Sequence, residues 1–218
     1  MGEVIKMAEL IIEAIKQTFV MVIPATFFST IIGFLLAIIL VVTDQDGLKP
    51  NKIIYNVLDF IINVLRSFPF IILMVAIFPI TKFIVGTSIG EVAAIVPLTI
   101  ASSPFVARII ESSLKEVNRG VIEAAKSFGA SDFDIIFRVM LKEAIPSIVS
   151  GITLVIISLI GYSAMAGTIG AGGLGDLAIR YGYQRFEMPI MIATVIILVI
   201  IVQGLQMLGN YIYKKMTE

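Results

Sequence analysis

The chain has 218 residues, of which 58% are hydrophobic and 15% charged, and its mean hydropathy of +1.03 lies far outside the range of a water-soluble domain. Sixteen Lys and Arg balance sixteen Asp and Glu, so no global charge favours a nucleic-acid partner. Cysteine and histidine are absent, which removes disulfides, thiolate nucleophiles, imidazole acid–base chemistry and nearly every zinc or haem arrangement.

From Met1 to Gln17, the charges Glu3, Lys6, Glu9, Glu13 and Lys16 recur every three or four residues between Val4, Ile5, Leu10, Ile11, Ile12 and Ile15. That spacing predicts an amphipathic helix at the membrane interface, and with charges in place of a leader's apolar run no cleaved leader is expected. Thr18 to Val42 carries no charge and is long enough to cross a hydrocarbon core of roughly 30 Å as a first span (18–42). Asp44 to Pro50 reads as a turn. Leu58 to Ile84 is apolar apart from Asp59, Arg66 and Lys82, and a second span is expected from Arg66 (66–84). A third, 91–107, is broken by Pro97 and Pro104; a fourth covers 144–169 and a fifth 188–213. The chain thus reads as one all-α transmembrane domain, 1–218, a multi-pass protein of the lipid bilayer with five transmembrane helices.

Lys and Arg accumulate on the cytoplasmic side of membrane proteins. Lys49, Lys52, Arg108, Lys115, Arg119, Lys126, Arg138, Lys142, Lys214 and Lys215 fall on one side, and only Lys6, Lys16, Lys82, Arg180 and Arg185 on the other. This places the loop 108–142 and the C-terminus inside and the N-terminus outside. Within the loop, Val121, Ile122, Ala125 and Phe128 recur at helical spacing up to Gly129, a residue suited to a left-handed helix stop. Ser131 then precedes Asp134 by three residues, a capping-box-like start, and Phe133, Ile136, Phe137, Met140 and Leu141 follow on one helical face. The prediction is helix, glycine bend, helix, with small Ala124 and Ala125 allowing another protein to approach closely.

Glu123-Ala124-Ala125, three residues, Gly129, then nine residues to Val139 and Leu141 resemble the EAA motif of bacterial ABC importer permeases. Lys142 departs from the pattern, since the family commonly has Pro after the Leu, and Pro146 is expected to turn the chain instead. Arg66 to Leu73 (RSFPFIIL), Ala164-Met165-Ala166-Gly167 and Gly170 to Phe186 are similar to the methionine-importer permease subfamily, and the likeness covers essentially the whole chain. The resemblance implies a type I ABC importer permease of the bacterial inner membrane, working as a homodimer above two ATP-binding subunits, with a lipid-anchored methionine-binding protein delivering D- or L-methionine. It implies no catalytic residue and no cofactor in this chain, ATP and Mg belonging to the ATPase. Glu123, Ala124, Ala125, Phe128, Gly129 and Ser131 would form the docking element for that ATPase.

Other motif matches fail on context. Gly170, Gly172 and Gly175 satisfy G-x-G-x-x-G without a preceding strand or a downstream acid, and Gly120 to Ser127 misses a P-loop because Ala125 stands where the second Gly belongs. Gly173-Leu174-Gly175-Asp176 matches the G-x-G-D of intramembrane aspartyl proteases but lacks the Tyr-Asp partner. These glycines, with Gly167 and Gly182, read better as a bent external loop, a gate role being the alternative. In the fourth span Ser150, Gly151, Ser158, Gly161, Ser163, Ala164, Ala166 and Gly167 allow close packing. Tyr162, Ser163 and Met165 are the candidates to line a translocation pathway, ordinary packing being the alternative. Arg66 is the one charge expected inside the membrane boundary, marking function or snorkelling to the interface. Competing functions are a permease for another small amino acid or related solute, a secondary transporter, for which the spans offer almost no coupling carboxylates, and an intramembrane aspartyl protease.

Overall fold

The computed structural model describes residues 2–217; Met1 and Glu218 lie outside the described residues, as do the side chains of residues 2–4, Glu3 and Val4 among them. Helix α1 (Gly2–Thr43) is a single element of 42 residues, about 63 Å long at 1.5 Å per residue, and Pro24 does not break it. The charged N-terminal segment is therefore the beginning of the first span's own helix and not a separate interfacial one. Its apolar face is used inside the protein: Ile11 and Ala14 are buried with Leu174, Leu177 and Ile190. The predicted turn follows, with the Gly47 N–H donating to Asp44 O (3.0 Å) and the Lys49 N–H to Val42 O (2.9 Å). Asn51 Oδ1 then accepts from the N–H groups of Ile53 and Ile54, both at 3.1 Å, and starts α2 (Lys52–Ser67).

The region expected as a second span from Arg66 to Ile84 is divided. Pro69 biases Phe68 to an extended conformation (φ −73°, ψ 128°), which ends α2 at Ser67. Helix α3 (Phe70–Ala76) leaves at 104° to α2, and α4 (Phe78–Val85) follows a further break at Ile77 and ends on Gly86 at φ 86°. Helix α2 is strongly amphipathic, with Ile62 buried and Ile53, Phe60 and Val64 exposed.

Helix α5 (Glu91–Lys115) runs unbroken through Pro97 and Pro104 and continues past Arg108, so the first part of the expected loop is helix. Both prolines are buried, and packing on α1 outweighs the lost N–H donors. After α6 (Arg119–Ser127), α7 (Asp132–Gly167) runs 36 residues through a π-helical stretch, Ile135–Met140, with Pro146 inside it. Pro146 thus does not turn the chain, and the second loop helix and the fourth span are one rod. A short α8 (Gly173–Leu177), continued by a π-helical stretch (Ala178–Tyr183), precedes α9 (Met188–Thr217). Of the described helices, α1 from Ile5, α5, α7 and α9 are long and apolar enough to cross a membrane, and α2 with α3 makes a fifth span if the bent pair is taken together.

The main core joins α1, α5 and α7 through Met21, Val22, Ala37, Leu98, Val106 and Leu159. Without a hydrophobic drive between lipid-exposed helices, small residues must let them approach. Gly33 does this: a Cβ there would lie 2.6 Å from Val106 Cβ. Helix α9 lies at the edge, with Ile190, Thr194 and Gly209 buried and most of its apolar surface outward.

Candidate functional site

Three features stand out along the α7 rod: a hinge at its start, a charged network beside it, and a cleft near its end. At the hinge, Asn118 Oδ1 accepts from the Gly120 N–H (2.8 Å) and begins α6. The helix closes with the paired bonds of a Schellman motif, Gly129 N–H to Lys126 O (2.9 Å) and Ala130 N–H to Ala125 O (3.1 Å), with Gly129 at φ 77°. Ser131 Oγ accepts from the Asp134 N–H (3.2 Å) and donates to Asp134 Oδ2 (2.5 Å), opening α7. Ala125 and Ala130 pack onto the core and hold the hinge down, whereas Glu123 and Ala124 face outward and Phe128 is 91% exposed. The helix, glycine bend and helix are arranged as their sequence predicts. A bare phenylalanine ring one turn from the small, exposed Ala124 makes a knob and a flat that another protein can grip.

The charged network joins α2, α5 and the turn after α1. Glu111, 4% exposed, accepts from Arg108 Nη1 (2.7 Å), Lys115 Nζ (2.7 Å) and the Tyr55 hydroxyl (3.2 Å). Arg108 also pairs with Asp59 and donates to Asn63 Oδ1 (3.0 Å), and Lys115 also pairs with Asp44. Burial alone would raise the Asp44 carboxyl, but the hydrogen bonds from Lys115 and the Asp46 N–H hold it below its ordinary value. Sequence reasoning used Arg108 and Lys115 only as markers of sidedness. The signal was present in their spacing, since Arg108, Glu111 and Lys115 share one helical face and Asp59 and Asn63 another.

Near the far end of α7, the Tyr162 ring stacks on Phe70 (centroids 4.8 Å apart, planes at 13°). The pair walls a cleft of about 240 Å³ that Arg66, Phe68 and Phe105 also line. Of the three pathway candidates, Tyr162 lines this cleft and Met165 is 44% exposed elsewhere on the helix. Ser163 is buried, its Oγ donating to Ile160 O (2.8 Å), and is not part of the cleft wall. The glycine-rich segment is a bent loop, with Gly170, Gly172 and Gly173 all at positive φ. It is tied to α1, because Gln17 Oε1 accepts from the Gly173 N–H (2.8 Å) and Thr18 Oγ1 from the Leu174 N–H (2.9 Å). A Cβ on Gly175 would lie 2.2 Å from Ala164 Cα, so α7 and α8 meet backbone to backbone.

Residues 29–218 match the family described as binding-protein-dependent transport system inner membrane component. Over 208 residues the chain is 48% identical to the probable D-methionine transport system permease protein MetI of Vibrio cholerae, covering 95% of this chain and 92% of that protein. It is 44% identical over 174 residues to the methionine import system permease protein MetP of Bacillus subtilis, covering 80% and 78% respectively. Among solved structures, inward-facing conformations of the MetNI methionine ABC transporter superpose with a TM-score of 0.96 at 40% identity over 98% of this chain and 99% of that one. An amino acid ABC transporter with histidines superposes at 0.81 with 22% identity, over 98% and 97% of the two chains, and so shares the fold.

Proposed function

The chain belongs to the binding-protein-dependent transport system inner membrane component family, and from that premise we propose that it is the permease subunit of an ABC importer for methionine in the bacterial inner membrane. The observation that carries the substrate is the 48% identity to a D-methionine permease along nearly the entire chain, together with an almost complete superposition on a methionine transporter. In this reading two copies pair, and each rests on one of two ATP-binding subunits. A methionine-binding lipoprotein delivers D- or L-methionine from outside, where the N-terminus lies; the C-terminus lies inside. This chain binds no cofactor; ATP and Mg are held and ATP is hydrolysed by the partner.

Helix α6 is the part through which the partner acts. Its exposed Phe128 and the small Ala124 fit a groove in the ATPase, Ala125 seats the helix on the core behind them, and Glu123 supplies a charged contact at the rim. When the ATPases close, α6 is drawn inward, and Gly129 and the Ser131 cap pass that movement to α7. Tyr162 and Met165 then shift with the rod, opening one side of the membrane and closing the other. This is alternating access, with binding of ATP biasing the equilibrium between two arrangements.

Vesicles containing this chain, its ATPase and its binding protein test the reading. ATP-dependent uptake of labelled methionine in preference to other amino acids is the expected result, and preference for a different solute would overturn the substrate assignment. Replacement of Glu123 or Gly129 by a bulky residue should abolish uptake; unchanged uptake would remove α6 from the coupling role.

A further inference from the structure

The coupling element does not account for Arg66. It sits in the last turn of α2, at the break before α3, in a chain whose neighbouring segments are apolar. A guanidinium in such a place is costly unless it is paired or has a task. Arg108 shows the paired case, held by Asp59 and Glu111. Arg66 forms no ion pair among the described residues; its guanidinium carbon lies 5.9 Å from the centroid of the Phe105 ring. The side chain lines the cleft of about 240 Å³, with Phe68, Phe105 and the Phe70–Tyr162 stack among its other walls.

We propose that this cleft is a transit site for one zwitterionic α-amino acid, with Arg66 binding the α-carboxylate and the aromatic walls holding an apolar, thioether-bearing side chain. The volume is below that of pockets for drug-sized ligands, which suits a single small solute. The planar guanidinium fork matches a carboxylate with two parallel hydrogen bonds. Aromatic rings at the end of such a cleft attract a polarisable thioether. The third element is α2 itself. Its final carbonyls lack intrahelical donors and form the negative end of a helix dipole, and because Pro69 stops the helix at this point they are available to an α-ammonium group. Broken helices whose ends face a substrate site are a recurring device of transporters. Both charges of the zwitterion are thereby met at one helix end, which gives the division of the second span a purpose.

The inference rests on the methionine-permease reading, and the test separates the two. The assembled permease with its ATPase, without the binding protein, is irradiated in detergent with photo-methionine, whose diazirine replaces the thioether. Labelling is expected on peptides containing Arg66 or Tyr162, and competition by methioninol, which lacks the carboxylate, should be weaker than competition by methionine by about 10- to 100-fold. Arg66→Gln should lower labelling by a similar factor, and Arg66→Lys, which keeps the charge but not the fork, should retain part of it. Labelling elsewhere, equal competition by methioninol, or an Arg66→Gln variant that labels like the wild type would each overturn the inference. Uptake of labelled methionine by wild-type vesicles is measured beside it. Any of those three results with methionine uptake intact leaves the function standing and removes the transit site, whereas uptake of another amino acid in place of methionine removes both.

Discussion

Removing Glu111 should cost more than removing any other carboxylate described here, because among the described residues it is the one buried acid, and it is shared by three donors. Breaking a buried ion pair by deleting one partner costs about 3–5 kcal/mol, since the remaining charge is left uncompensated. Two features lower that figure: Arg108 keeps Asp59, and Lys115 keeps Asp44 and is partly exposed. We therefore expect about 2–3 kcal/mol for Glu111→Ala, which for a chain of this size corresponds to a fall in melting temperature of about 5–10 °C. Glu111→Gln preserves the shape and some of the hydrogen bonding while removing the charge, so it should fall between the variant and the wild type. Thermal unfolding of the purified protein in detergent, followed by aggregation or intrinsic tyrosine fluorescence, measures both. A loss below about 2 °C for Glu111→Ala would show that the network is held by the surrounding helices and does not itself hold α2 to α5.

Three further outcomes follow from the geometry. Gly129→Ala meets no steric neighbour within 4 Å but must adopt φ 77°, so it should destabilise the hinge by about 1 kcal/mol and lower ATP-driven uptake, with Gly129→Val worse on both measures. Gly175→Ala puts a Cβ against the Ala164 backbone, which no side-chain rotation can relieve, and should lower the detergent melting temperature by several degrees, whereas Gly161→Ala, with open space around it, should not. Because the folded Asp44 carboxyl is held below its ordinary value, its contribution is present at neutral pH and is lost as the pH falls below about 4. Asp44→Asn should lower stability at pH 7, and that difference from the wild type should shrink on acidification.

The long charge-free runs made four of the spans legible, because twenty or so apolar residues have no comfortable place in water. The hinge was legible residue by residue, since Gly129 and Ser131 act through local backbone geometry that depends on their neighbours in sequence. The second span was not. Between Arg66 and Lys82 the segment carries no charge, and Pro69, acting on Phe68, is the local mark of the 104° break between α2 and α3. The unbroken course of α5 was hidden for the opposite reason: Pro97 and Pro104 read as breaks, but tertiary burial overrides the loss of two donors. Pro146, only half-buried, also stays inside α7, a few residues after the π-helical stretch. Of the partners of Arg108, Glu111 could be read from its spacing three positions on, but Asp59 lies 49 positions away, and only the folded chain brings the two together. Ser163 fell on the wrong side of its helix for the cleft because neighbouring positions are 100° apart, and a segment of mostly small residues gives no apolar stripe from which to set the phase.

The 36-residue α7 has a mechanical consequence. At 1.5 Å per residue it is a lever about 54 Å long, so a tilt of only about 10° around its midpoint displaces each end by about 5 Å, in opposite directions. Its irregular stretch and Pro146 lie in the first half, next to the hinge, and the remainder to Gly167 is regular α-helix. At its far tip the lever is meshed with α8 at Gly175, and α8 is clasped by Gln17 and Thr18 of α1. On the proposed coupling, a small push at one end of the rod is delivered to a linkage some tens of ångströms away.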